Sequence, residues 1–261
     1  MLTLRLTAVC ALIAGSAFAG TATAQVRSWN FGDITPTGSC ASSAGGTTAA
    51  FGNSWNCSEQ PSGTVTTLQV SAFANTGTGG AFAAGAVNYQ GTGSGVGAYN
   101  TVEGLSAGSP DHAVDNNVSI DSLLLSFTTA QVLKNVTLGW SGADADFQVL
   151  RWTGGALTAT AGKTAAQLIT AGWALVSTVD GAANISTPDV TYGVNTGNLS
   201  SSYWLISAFN SAFGSGGSVG IDAFKVLGVS TTGTAVSSPG TLALAGLALA
   251  GVVFTVRRRR A

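Results

Sequence analysis

Charge is what this sequence has least of. Only 8% of its 261 residues are Asp, Glu, Lys or Arg, and it contains a single His, a single Met, five Pro and three Cys. One histidine rules out a multi-histidine metal centre, and three cysteines leave too few thiolates for an all-cysteine zinc site. No twelve-residue loop has the EF-hand ligand pattern. Five of the ten basic residues are Arg5 and Arg257 to Arg260, close to the two ends. Between the ends, Arg27, Lys134, Arg151, Lys163 and Lys225 face all eleven acids, a formal charge of minus six. That balance excludes binding to nucleic acid or to an anionic membrane by general attraction.

The ends carry the strongest signals. Arg5, an apolar stretch from Leu6 to Phe18 and two small-x-small sites, Ala17-Phe18-Ala19 and Ala22-Thr23-Ala24, predict a secretory signal peptide over 1–24, cleaved before Gln25. Near the other end TLALAGLALAGVVFTV, residues 241–256, carries no charge and is followed at once by four arginines. As a helix it would be roughly 24 Å long, enough to serve as a short transmembrane helix if the arginines snorkel. Its basic flank belongs on the cytoplasmic side, which places the rest of the chain outside.

The sequence between the ends is patterned for β structure. Leu68, Val70 and Ala72 alternate with polar neighbours, Val118 to Phe127 reads as a strand apolar on both faces at Leu123, Leu124 and Leu125, and further strands are expected over 136–140, 147–152, 173–179, 203–209 and 219–227. Gly/Ser/Ala/Thr-rich stretches at 39–48, 75–85 and 90–97 predict mobile loops or tightly turned hairpins. One short helix is expected over 164–170, capped by Thr164 or a neighbour and ending before Gly172. The fold class expected is all-β: a single antiparallel β-sandwich-like, jelly-roll-like ectodomain over 25–228, then a flexible spacer over 229–238 and a tail over 239–261. Cys10 departs with the signal, leaving Cys40 and Cys57 to form a disulfide in an oxidising compartment.

Candidate chemistry inside the domain is sparse. His112, with Asp111, Asp115 and Ser109 nearby in sequence, is the one place a hydrolase could be drawn; the plainer reading is a turn after Pro110, so no catalytic residue and no cofactor are expected. Asp144 and Asp146 alternate and would offer two carboxylates on one side of an extended segment, a weak Ca²⁺ candidate. Trp29 and Trp55 flank loop-rich segments and are the weak candidates for stacking on sugar rings, while core packing with partnered indole N–H groups is expected for most of the six tryptophans.

The order Pro239-Gly240, apolar helix and Arg257, Arg258, Arg259, Arg260 resembles the PEP-CTERM sorting signal of Gram-negative, exopolysaccharide-making bacteria. That family's motif begins Pro-Glu-Pro, where this chain has Ser237-Ser238-Pro239. The blocks SPDHAVDNNVSIDSLLLSF, VTLGWSGADADFQVLRWTGG, SSYWLISAFN and GIDAFKVLGV resemble an exosortase-dependent surface protein family. The resemblance implies a non-enzymatic cell-surface or extracellular-matrix protein whose partners are signal peptidase, an exosortase-type sorting peptidase, the inner membrane before processing, and exopolysaccharide, with no nucleic acid. A secreted carbohydrate-binding module is the alternative expectation, and a secreted hydrolase a remote one.

Overall fold

A computed structural model describes residues 26–32, 40–42, 50–58, 66–106, 108–186 and 189–233. The expected signal peptide, transmembrane helix and sorting motif, including Pro239, Gly240 and Arg257 to Arg260, lie outside the described residues. Among the described residues, no helix is long and apolar enough to cross a membrane.

The regular structure of the described chain is mostly β. Its strands are β1 (Val26–Asn30), β2 (Cys40–Ser42), β3 (Ser54–Ser58), β4 (Thr67–Ala74), β5 (Ala83–Ala84), β6 (Ala86–Tyr89), β7 (Val96–Tyr99), β8 (Val114–Asp115), β9 (Asp121–Ser141), β10 (Phe147–Trp152), β11 (Trp173–Val179), β12 (Val190–Gly193), β13 (Ser201–Ala208) and β14 (Ala223–Gly233). They form one antiparallel hydrogen-bonded network. The α-helix α1 (Ala165–Ala171) sits between β10 and β11.

The strands expected at 118–127 and 136–140 are one strand, β9, 21 residues long. Its first part pairs with β4 and β13, and its second with β14 and β12. Residues 128–130 are exposed or half-exposed and interrupt the burial pattern. Gln131, buried, fixes the change of partner by donating to the Thr129 hydroxyl and carbonyl and accepting from the Thr231 hydroxyl at 3.0 Å. Both ends of β9 therefore reach one end of the molecule: Ser122 pairs with Ser207 of β13, and Ser141 with Phe224 of β14.

Alternation along β9 sorts its leucines between two cores. Leu123 and Leu125 join Leu68, Val70, Phe147, Trp204 and Ile206 with Val136, Leu138, Phe224 and Val226, so residues from both sets of ladders share the main core. Leu124 faces the other way, into a second cluster with Leu150, Leu205, Trp173, Phe82 and Leu168 of α1. The helix begins as its sequence dictates: Gln167 N–H donates to the Thr164 hydroxyl, the Gln167 side chain accepts from Thr164 N–H, and Gly172 closes the far end.

Two expectations are corrected here. The strand placed at 219–227 starts at Ala223, because the Ser218 backbone and hydroxyl bond to Asp146 and Asp144, which holds the preceding segment as a loop. The spacer begins later than residue 229: Val229–Gly233 continue β14, with Val229 to Thr232 laddered to β1 on one side and Val229 to Gly233 to β9 on the other. Its STTG sequence has no apolar alternation because the two ladders hold it, together with the buried Thr231 hydroxyl on Gln131. Of the two forms expected for the glycine-rich stretch 90–97, the chain takes the tightly turned hairpin, between β6 and β7 and against β9 and β14. A Cβ on Gly139 would come within 2.3 Å of the Gly93 carbonyl oxygen, and Gly95, at φ +86°, abuts the Val226 carbonyl.

Cys40 and Cys57 form the expected disulfide across the β2–β3 ladder. It closes a loop with a sequence separation of 17. Replacing both cysteines by Ser should lower stability by about 3 kcal/mol, read as a drop in the urea midpoint that reductant reproduces in the unmodified protein. Gly139→Ala should cost about 2 kcal/mol or more, because backbone rather than a flexible side chain blocks the new methyl; the same denaturation curves measure it.

Candidate functional site

The end of the molecule reached by both ends of β9 is built from the loops around β8, the 142–146 turn and the 209–222 loop. Asn116 ties them together. Its side-chain amide donates to the Phe209 carbonyl at 3.3 Å and to Asp222 Oδ2 at 2.6 Å, and its Oδ1 accepts Asp222 N–H at 2.8 Å. Onto this frame the chain brings two groups of three carboxylates: Asp144, Asp146 and Asp222, and Glu103, Asp115 and Asp121. In each group one oxygen per residue lies within 4.8 Å of the others.

The first group contains the expected pair. Asp144 and Asp146 do converge, and Asp222, from a loop 76 residues beyond Asp146, joins them. Most of their oxygens have work within the loops. Asp222 Oδ1 accepts Asp146 N–H at 2.8 Å, and Asp144 accepts Ala145 N–H at 2.9 Å and the Ser218 hydroxyl at 2.7 Å. Asp146 also accepts Ser218 N–H. Burial pushes the Asp222 carboxyl up to about 7, aided by its two acidic neighbours. This group chiefly locks two loops to each other.

The second group is deeper and poorer in partners. Asp115 and Asp121 are each 0% exposed, at the end of β8 and the start of β9, and Glu103 is half-buried on the loop after β7. Asp115 Oδ1 accepts Asn117 N–H at 2.9 Å, Asp121 Oδ1 accepts from the Asn100 amide at 3.1 Å, and Glu103 Oε1 accepts from the Ser119 hydroxyl at 3.5 Å. The second oxygen of all three, Asp115 Oδ2, Asp121 Oδ2 and Glu103 Oε2, is buried with no hydrogen-bond partner among the described residues. The charges acting on these groups are one another and Asp111. Burial, then like charge, pushes Asp115 up to about 7, Asp121 well above the usual carboxylate range and Glu103 upward. Two full charges within 4.8 Å of each other repel by roughly 3 kcal/mol or more at an effective dielectric of about 20, so three ionised carboxylates here require a compensating partner.

His112 lies beside this end but is engaged elsewhere. Nδ1 faces the Pro110 carbonyl at 3.4 Å and Nε2 faces Lys225 Nζ at 3.2 Å. Lys225 lies 4.5 Å from the centre of the Trp140 ring, against which His112 also packs edge-on. Neither contact is to a serine hydroxyl or a carboxylate, the partners a hydrolytic base would need. Burial and the Lys225 charge hold the His112 pKa below the usual histidine range, and burial brings Lys225 down to about 8.

The two tryptophans singled out for sugar stacking are core residues. Trp29 is 1% exposed and packs edge-on against Phe127; Trp55 is 2% exposed beside Tyr89. Strand alternation turned both rings inward, so neither offers a face to a ligand. Their indole N–H groups, and that of Trp173, have no partner among the described residues, whereas Trp152 and Trp204 donate to the carbonyls of Gly155 and Ser201. Burying a ring of 150–250 Å² at ~25 cal/mol per Å² is worth roughly 4–6 kcal/mol, which outweighs one unmade hydrogen bond of about 1–3 kcal/mol.

Sequence reading missed Glu103, Asp121 and Asp222, and it considered Asp115 only beside His112. The density of Asp and Asn in Val114-Asp115-Asn116-Asn117-Val118-Ser119-Ile120-Asp121 was the available signal. Compared with protein-family models, curated proteins and solved structures, the chain matches none.

Lys225 gives this end a pH signature. Its folded pKa lies below its unfolded value, so between about pH 8 and 10.5 the unfolded chain binds the extra proton and stability rises with pH. Lys225→Met should stabilise the protein by about 1–2 kcal/mol at pH 7, after allowance for solvent access, and the advantage should shrink toward pH 10.5. Paired thermal melts of the two proteins across that range measure it.

Proposed function

We propose that this chain is an exported, non-enzymatic surface or matrix protein, with a jelly-roll-like sandwich of two layers sharing β9, sorted through its C-terminal tail. The observation that carries the reading is the placement of the two chain exits. Val26, where the chain enters β1, pairs with Thr232 at the far end of β14, so both terminal segments leave from one end of the domain. Asp222 immediately precedes the opposite end of β14. Eleven residues at ~3.3 Å each put about 35 Å between tail exit and carboxylate end. A domain held by its tail would thus present the carboxylate end away from the envelope. The Cys40–Cys57 disulfide suits an oxidising compartment, and the low-charge, acidic domain suits a polysaccharide-rich surrounding in which hydroxyl and amide groups provide the contacts.

In this reading the tail engages the inner membrane, an exosortase-type peptidase acts at the Ser-Ser-Pro-Gly junction, and exopolysaccharide is the surrounding partner. Residues 239–261 are the part to delete. The truncated chain should move from the envelope fraction into the periplasm or medium while keeping its disulfide and its unfolding profile. If it stays in the same fraction as the full chain, the tail is neither anchor nor sorting signal.

A further inference from the structure

We infer that Glu103, Asp115 and Asp121 form a Ca²⁺ site that pins the loop after β7, the end of β8 and the start of β9 to one another. Three features of the cluster converge on this. Its donors are all carboxylate oxygens, with no nitrogen or sulfur ligand among them, the set preferred by a hard cation. Asn117 N–H and the Asn100 amide take up one oxygen of each aspartate, and the other oxygen of each, within a group of three carboxylates, is buried with no hydrogen-bond partner among the described residues. Asp115 and Asp121 are wholly buried, so those free oxygens are withdrawn from bulk water as well as from protein donors.

Calcium fits this donor set better than magnesium, because it accepts irregular arrangements of several protein oxygens, whereas magnesium requires near-ideal octahedral geometry and gives up its water reluctantly. Half-buried Glu103 is the ligand nearest solvent, the side from which an ion would enter. The Asp144, Asp146 and Asp222 group differs in the property that matters, since its oxygens are largely committed to Ser218, Ala145, Asn116 and Asp146 donors.

The test uses the full chain, purified in mild detergent, stripped with EDTA and dialysed into metal-free buffer. Titration with CaCl2 should show Ca²⁺ bound at this cluster and raise the melting temperature by several degrees, with MgCl2 at the same concentration giving no comparable shift. Glu103→Gln and Asp115→Asn should each weaken Ca²⁺ binding at least tenfold, and without calcium should melt at or above the unmodified protein, because each removes a repelling charge. Asp144→Asn should leave the affinity unchanged. The inference is overturned by no binding at millimolar calcium, by magnesium performing as well, or by binding that survives Glu103→Gln and Asp115→Asn but is lost in Asp144→Asn.

Discussion

The fold depends on one strand that belongs to two sets of ladders. β9 is the element around which β4, β13, β14 and β12 are all arranged, and its hydrophobic content explains why it can be shared. A strand covered on one face needs apolar residues at every second position, whereas Leu123, Leu124 and Leu125 in succession satisfy two opposed cores. The polar interruption at Thr128, Thr129 and Ala130 then lets the chain change partners without leaving the network, with Gln131 holding the bend from within. Because both halves of β9 return to the same end, the loops that connect their neighbours are gathered there, and with them most of the domain's acidic side chains.

What was legible in the sequence follows from how local each signal is. β10 and β11 run over the residues that alternation indicates, and α1 starts at the threonine whose spacing to Gln167 makes a capping box, since each is decided within a few residues. The continuity of β9 was hidden because Thr-Thr-Ala looks like a turn when its ladder partners, far along the chain, are unknown. The end of β14 was hidden for the complementary reason: Ser230 to Gly233 carry no hydrophobic pattern and are strand only because β1 and β9 flank them.

The carboxylate groups lie beyond local reading altogether. Asp144 and Asp146 were visible as an alternating pair, but their third member arrives from the other side of β13, and Glu103 comes from the loop after β7 to join Asp115 and Asp121 of the 114–121 stretch. The tryptophans show the opposite failure. Trp29 and Trp55 border sequence poor in bulk, which suggests exposure, yet both occupy inward positions of short strands, and one residue of register decides between core and surface.

The position of β14 has a mechanical consequence. A pull applied at Gly233 runs along the axis of a strand laddered on one side to β9 and on the other to β1. Antiparallel hydrogen bonds stand perpendicular to their strands, so such a force loads both ladders in shear, many bonds at once, instead of peeling them one after another. The domain therefore resists force best along the axis of β14.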